Sequence, residues 1–303
     1  MATAPAIDVF EATPCGLGES TVWDYRRQAL LWVDGAGLHA GDLRSPPRIF
    51  RKEIGGELQA WPWDCELGSL ALASEGRILV ADRKGVHLFD PATRERRTLV
   101  DPEPDRPRNR MTDGATDRQG RFWVGSLSLD EPREGLGALY RLDVDHAIEK
   151  IQDKLTIPNS LAWSPDGRTM YFTDSPEKKI WSFKYDLDGG TARERRVLYD
   201  FGAYPGVPDG ATVDAQGCLW SANFGTGRVF RVTPDGRLDA EIILPTSCPT
   251  CLAFGGARFD TLFVSTARLR MSDEQLAPEP LAGATLALRV AASGLPETCY
   301  LGA

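Results

Sequence analysis

The chain has 303 residues, 42% hydrophobic and 26% charged, the balance of an ordinary globular protein. Its net charge of −8 at pH 7 is opposite to the basic footprint that nucleic-acid binding needs, and no apolar run approaches the roughly 20 residues that span a bilayer. Six scattered cysteines do not read as a disulfide framework, and three histidines are few for a histidine-built metal site.

The first residues, Met-Ala-Thr-Ala-Pro-Ala-Ile-Asp, have neither a basic region nor an apolar core, so no signal peptide is predicted. A cytoplasmic protein with reduced thiols is expected. From Ala29 onward one phrase keeps returning: a polar turn, a spacer, then a short apolar strand. Its strongest copies begin at Asp117 (Asp-Arg-Gln-Gly-Arg-Phe-Trp-Val-Gly), Ser164 (Ser-Pro-Asp-Gly-Arg-Thr-Met-Tyr-Phe-Thr-Asp) and Asp214 (Asp-Ala-Gln-Gly-Cys-Leu-Trp-Ser-Ala). The anchors Trp32, Leu79, Trp123, Phe172, Trp220 and Phe263 recur every 43–49 residues, close to the period of a four-stranded propeller blade.

Taken in chain order, the predicted strands are Ala29–Asp34, Arg77–Ala81, Gly85–Phe89, Phe122–Ser126, Gly137–Leu142, Met170–Thr173, Lys179–Tyr185, Cys218–Ala222, Arg228–Thr233 and Thr261–Thr266. Six copies of the phrase fill the chain, which predicts an all-β, six-bladed β-propeller forming one domain over residues 1–303. Ile7–Ala12 and Gly283–Val290 are predicted to complete one blade from the two ends of the chain. No amphipathic helix is evident, and Met271–Leu276 has the length of a single turn. The basic runs Arg94–Arg97 and Arg193–Arg196 read as solvated strand edges. Two inserts, Asp101–Arg108 and Leu129–Gly137, read either as loop decoration or as a lid over the channel mouth. Cys248-Pro-Thr-Cys251 has redox or zinc spacing without a second ligand pair, and reads as a loop with two buried thiols.

Chemistry is predicted where the repeats differ. Short polar segments precede the blade strands: Gly18-Glu19-Ser20, Arg110-Met111-Thr112-Asp113-Gly114, Pro158-Asn159-Ser160 and Pro208-Asp209-Gly210. Polar residues at one phase of a ring converge at one end of its axis. Glu19, Asn159 and Asp209 then form an all-oxygen set suited to a hard divalent cation. His39, His87 and His146 all lie away from that phase, so any general base there must be a carboxylate, and Asp209 is the choice by position. Asp166, Asp214 and Asp235 sit in Asp-Gly or Asp-x-x-Gly turns and read as turn caps; for Asp113 both readings stay open.

The runs Gly16–Asp24, Leu30–Asp34, Asp117–Gly125, Asn159–Gly167, Pro208–Asp214 and Phe254–Arg268, in this order, resemble the gluconolactonase/regucalcin family, also called senescence marker protein-30. The resemblance covers nearly the whole chain. It implies a six-bladed propeller with one divalent cation (Ca2+, Mg2+, Mn2+, Zn2+ or Fe2+) held by Glu19, Asn159 and Asp209. It further implies an arginine at Arg110 that contacts substrate, with Thr112 and Asp113 beside it, and hydrolysis of sugar lactones to aldonic acids. The chain departs from the family's Arg-x-Asn-Asp-Gly: Thr112 stands where the amide is usual. Phe224 stands where relatives often carry tryptophan. The expected partner is a small-molecule lactone, with no nucleic acid or membrane, on a monomer or weak homo-oligomer. Two alternatives are a phosphotriesterase or other ester hydrolase on the same metal site and a non-catalytic calcium-binding propeller. A WD-type interaction propeller is disfavoured because its Gly-His and Trp-Asp signatures are missing.

Overall fold

The computed structural model describes residues 5–35 and 45–302; His39 lies outside them. The described strands form six four-stranded antiparallel sheets, the blades of a β-propeller. The innermost strands are Gly18–Asp24, Leu67–Leu72, Asn109–Thr116, Pro158–Trp163, Val207–Val213 and Pro249–Gly255. Each packs on the inner strands of both neighbours, and the sixth meets the first, so the ring is closed.

The second strand of each blade carries its anchor. Trp32, Leu79, Trp123, Phe172, Trp220 and Phe263 are all 3% exposed or less. A second strand has a blade packed on each face, so it is buried throughout instead of alternating, and Ala29–Asp34 and Thr261–Thr266 are buried at every position around apolar centres. That continuous burial is what made these strands legible. The contacts between blades are largely aromatic: Trp23 of blade 1 stacks on Phe263 of blade 6 with ring centroids 5.3 Å apart. The outermost strands have solvent on one edge and charged sequences. Arg96–Val100 and Thr191–Asp200 are such strands, and they contain most of the two basic runs.

The termini close the ring as expected. Ile7–Glu11 pairs with Thr285–Arg289 as the outer strand of blade 6. Phe10 stands edge-on to Phe263 and Trp32, with centroids at 4.8 and 6.3 Å. After its last strand the chain crosses one end of the ring. Ser293 and Gly294 bond to Ala215 and Phe259 on blades 5 and 6. Tyr300 and Leu301 bond to Leu72 and Gly120 on blades 2 and 3. Tyr300 is fully buried there.

One turn of helix, Asp273–Leu276, is set by a capping box in which Ser272 and Gln275 satisfy each other's backbone amides. The Cys248–Cys251 segment differs from its predicted loop, because Cys251 lies on the inner strand Pro249–Gly255. Both thiols are buried and free, as are Cys15, Cys65 and Cys218, while Cys299 is partly exposed and free.

Removing residues 1–11 would expose the edge of Thr285–Arg289 and take Phe10 from the aromatic cluster. The expected outcome is a melting temperature lower by about 10 °C and concentration-dependent aggregation, read by calorimetry and light scattering. An unchanged melting temperature would mean that this closing strand contributes nothing to the ring.

Candidate functional site

Every inner strand carries a bulge at a similar phase. The pairing register shifts between Glu19 and Val22, Leu67 and Ser69, Met111 and Gly114, Asn159 and Ala162, Pro208 and Ala211, and Pro249 and Leu252. A bulge kinks its strand and re-aims side chains. In blades 1, 3, 4 and 5 it turns a polar residue toward the channel, and in blades 1, 3 and 4 the successor faces the next blade. The successors tie the ring together. Ser20 Oγ accepts from the Leu70 amide at 2.7 Å, Asp113 Oδ2 accepts from the Leu161 amide at 3.0 Å, and Ser160 Oγ donates to the Asp209 carbonyl at 2.5 Å.

Glu19, Arg110, Thr112, Asn159 and Asp209 line one cavity of about 370 Å³ at the end of the channel opposite the C-terminal segment. Asp113 is not among its lining residues. It faces a smaller cavity of about 70 Å³ toward the other end, together with Arg118, Cys251 and Glu297. Its carboxylate works as an inter-blade cap, the open alternative of the sequence reading. The Thr112 methyl packs against Gly125, where an added Cβ would lie 3.1 Å from it and 2.4 Å from Pro158 Cβ. Glycine is required at that close approach. Asp166 and Asp235 cap their turns as read, each accepting a hydroxyl hydrogen bond (from Ser164 and Thr233), and Asp214 accepts the amides of Gln216 and Cys218.

The loops entering the site strands are held by buried aspartates. Asp34 accepts the amides of Gly16 and Leu17 just before Glu19, and Asp174 accepts those of Thr156 and Ile157 just before Asn159. Asn159 Nδ2 donates to Ser175 Oγ at 2.8 Å, and Ser175 donates onward to the Pro208 carbonyl at 2.7 Å. This chain uses the amide nitrogen and leaves the Asn159 carbonyl oxygen free for the cavity.

The electrostatics are unusual. Burial, reinforced by the nearby Asp113 carboxylate, pushes Glu19 up to about 8. Burial, then Glu19 and Asp113, raise Asp209 well above the ordinary carboxylate range. Burial alone lifts Asp113 to about 6. Arg110 opposes these shifts from a distance, and burial depresses its own value to about 10. Its Nη1 donates to the Leu67 and Met111 carbonyls, its Nε has no partner, and it makes no ion pair with either carboxylate. Among the described residues no three His, Cys, Asp or Glu side chains group as a metal site. The set here is two carboxylates and one amide oxygen. Two unpaired buried carboxylates beside a free amide oxygen fit a hard divalent cation, which needs oxygen donors and would relieve their repulsion.

The two described histidines stay apart from this. His87 is buried between Asp82 and Thr98, and His146 bonds to the Gly302 carbonyl. The two inserts do share one face. Asp101–Arg108 is a buttress: its buried Glu103 accepts from Asn109 Nδ2 at 3.0 Å and Tyr140 Oη at 2.9 Å, and Arg106 Nη1 donates to the Leu136 carbonyl. The second insert, Leu129–Gly137, forms part of the cavity wall through Glu131, Pro132, Arg133 and Glu134. Leu17, Leu127, Ile157, Leu269 and Phe224 form a packed apolar wall. Arg133 and Arg270 went unread in the sequence, because neither sits at the repeating phase.

A closed propeller with an acidic, oxygen-rich floor at one channel mouth defines the class of protein. The chain belongs to the SMP-30/gluconolactonase/LRE-like family, whose model matches residues 17–268. It is 37% identical over 291 residues to the 6-deoxy-6-sulfogluconolactonase of Pseudomonas putida, covering 95% of this chain and 96% of that one. It is 33% identical over 290 residues to the L-arabinolactonase of Azospirillum brasilense, covering 94% and 92%. Among solved structures it resembles a calcium-binding protein, regucalcin, from Agrobacterium tumefaciens, with a TM-score of 0.90 and 28% identity over 98% of this chain and 97% of that one.

Metal-free protein should lose stability as pH rises. Glu19 holds its proton up to about 8 in the folded chain but only to about 4.5 when unfolded, so the folded state binds the extra proton between those values. The melting temperature without metal is expected to fall from pH 5 to pH 8, and a divalent cation should restore it at pH 8. A flat profile in chelated protein would show that the carboxylates are not held as described.

Proposed function

We propose that this chain is a metal-dependent lactonase that opens a sugar lactone to its hydroxy acid. The observation that carries the proposal is the pair of buried, unpaired carboxylates of Glu19 and Asp209 beside the free oxygen of Asn159. Family membership and relatives named for two different lactones support the reaction class.

In this reading Glu19, Asn159 and Asp209 hold one divalent cation. When bound, the cation supplies Lewis acidity to the lactone carbonyl and acidity to water. Asp209 takes a proton from the water that attacks the carbonyl carbon. The tetrahedral intermediate collapses with cleavage of the ring C–O bond, and the ring oxygen leaves as a hydroxyl by taking the proton that Asp209 accepted, which restores the carboxylate. Water and lactone are thereby converted to the hydroxy acid with no further reactant. Asn159 is kept in place by Ser175, so its oxygen needs no reorganisation at the moment of reaction. Arg110, with a free Nε, orients polar groups of the substrate. The apolar wall of Leu127, Ile157 and Phe224 covers the ring and limits bulk water.

The test is hydrolysis of an aldonolactone panel followed by proton release, with chelator and with each divalent metal restored. Turnover that vanishes with chelator and returns with metal is the expected result. Metal binding without turnover of any lactone would overturn the enzymatic reading.

Asp209→Asn is expected to lower kcat by at least about a hundredfold, with a smaller effect on metal affinity. Glu19→Gln should mainly weaken metal binding, by about tenfold or more on calorimetric titration. An Asp209→Asn protein with wild-type kcat would remove Asp209 as the base.

A further inference from the structure

Arg133 is placed oddly for a residue in a surface insert. It is 5% exposed, flanked by exposed Glu131, Pro132 and Glu134, and its side chain forms part of the cavity wall. Its Nη2 pairs with Glu131, but its Nη1 is buried without any partner. Burying a charged donor with no acceptor is costly, and such a group retains a strong demand for one. Glu131 does not reach it: its Oε1 accepts from Arg133 Nη2 and from Arg270 Nη2, the latter at 3.1 Å. One exposed carboxylate thus serves two guanidinium groups, Arg133 from within the wall and Arg270 from the rim. The other rim carboxylate, Glu134, pairs with neither of them among the described residues. The acidic groups of the floor, Glu19 and Asp209, are taken up by the cation in the reading above. Arg133 then brings to the insert side of the cavity a guanidinium whose Nη1 has no partner among the described residues.

We propose that Arg133 selects lactones bearing an anionic group at the end remote from the ring carbonyl: a carboxylate, a sulfonate or a phosphate ester. This rests on the lactonase reading and names its substrate class. A guanidinium meets all three anions with paired N–H donors, and Arg270 is positioned to add a second contact from the rim. The charge is bound away from the carbonyl, so it acts through substrate binding and positioning. Arg110 and Asp209 remain the groups beside the reacting end.

The experiment compares matched aldonolactones ending in a hydroxyl, a carboxylate, a sulfonate or a phosphate, on metal-loaded wild-type protein, Arg133→Gln and Arg133→Lys. Wild type is expected to favour at least one anionic lactone over the hydroxyl form by about tenfold or more in kcat/KM, chiefly through KM. Arg133→Gln should bring that ratio to about one, and Arg133→Lys should retain part of it. The anion that gives the largest ratio identifies the terminal group. A wild type that turns over the hydroxyl form as well as every anionic one overturns the proposal without reference to any variant. So does an Arg133→Gln protein that keeps the ratio. If no lactone is turned over, the lactonase reading fails by itself. Calorimetric titration with the ring-opened, terminally sulfonated acid then decides Arg133 separately: binding about tenfold weaker in Arg133→Gln supports the anion subsite, and equal binding overturns it.

Discussion

Two like charges forced together at the axis of a closed ring are the constraint from which the site follows. Glu19 lies on blade 1 and Asp209 on blade 5, and neither has an ion-pair partner among the described residues. No local interaction holds them near each other. They are brought together because six inner strands converge and the ring cannot open without separating blade 6 from blade 1. That seam is fastened by the aromatic stack of Trp23 on Phe263 and by the Thr250 hydroxyl, which donates to the Gly18 carbonyl at 2.5 Å. Closure therefore holds the two carboxyl groups together, and a bound cation would relieve their repulsion. The stability of the scaffold and the affinity of the site are linked in this way.

The inner-strand bulges convert the ring into a site. Regular strands would alternate their side chains between the two neighbouring blades. The bulge turns one residue into the channel and leaves the next to bridge blades. Thr112 and Asp113 show the division of labour: adjacent in sequence, they face different cavities. The channel is accordingly asymmetric. Loops and inserts build a substrate-sized cavity at one end. At the other, the C-terminal segment crosses the ring, with Leu295 and Glu297 beside the smaller cavity.

Family membership and geometry inform different parts of the function. Glu19, Asn159 and Asp209 line the floor, where, in the function proposed above, a lactone carbonyl would be activated whatever the rest of the sugar. The insert Leu129–Gly137 supplies one part of the wall, with Arg133, and the strand end at Phe224 belongs to its apolar part. Thr112 lies between the two regions, its methyl lodged against Gly125. In the function proposed above, substrate preference would rest with loops carried on a rigid ring, the usual place for specificity on a scaffold.

Much of this was legible in the chain itself. The blade period, the buried second strands and the terminal closure are local or periodic signals. A strand packed on both faces is apolar through its centre, and a repeat must return at its own length. The convergence of Glu19, Asn159 and Asp209 in one cavity also followed from their phase in the repeat. The outer strands of blades 1 to 5 were missed because exposure on one edge removes the apolar pattern, and the inner strands were read only as polar segments at the channel end. Asp113 was ambiguous because a one-residue bulge, invisible in composition, decides which way a side chain points. Arg133 and Arg270 could not be found from phase at all. They reach the cavity from inserts of blades 3 and 6, and only the packing of those loops over one mouth of the channel brings them to the same carboxylate. The sequence by itself determined a closed six-bladed ring and the residues at its axis, because both are encoded by repetition. The tertiary structure alone decided which charges are left unpaired, because pairing depends on distances between blades that share no sequence neighbourhood.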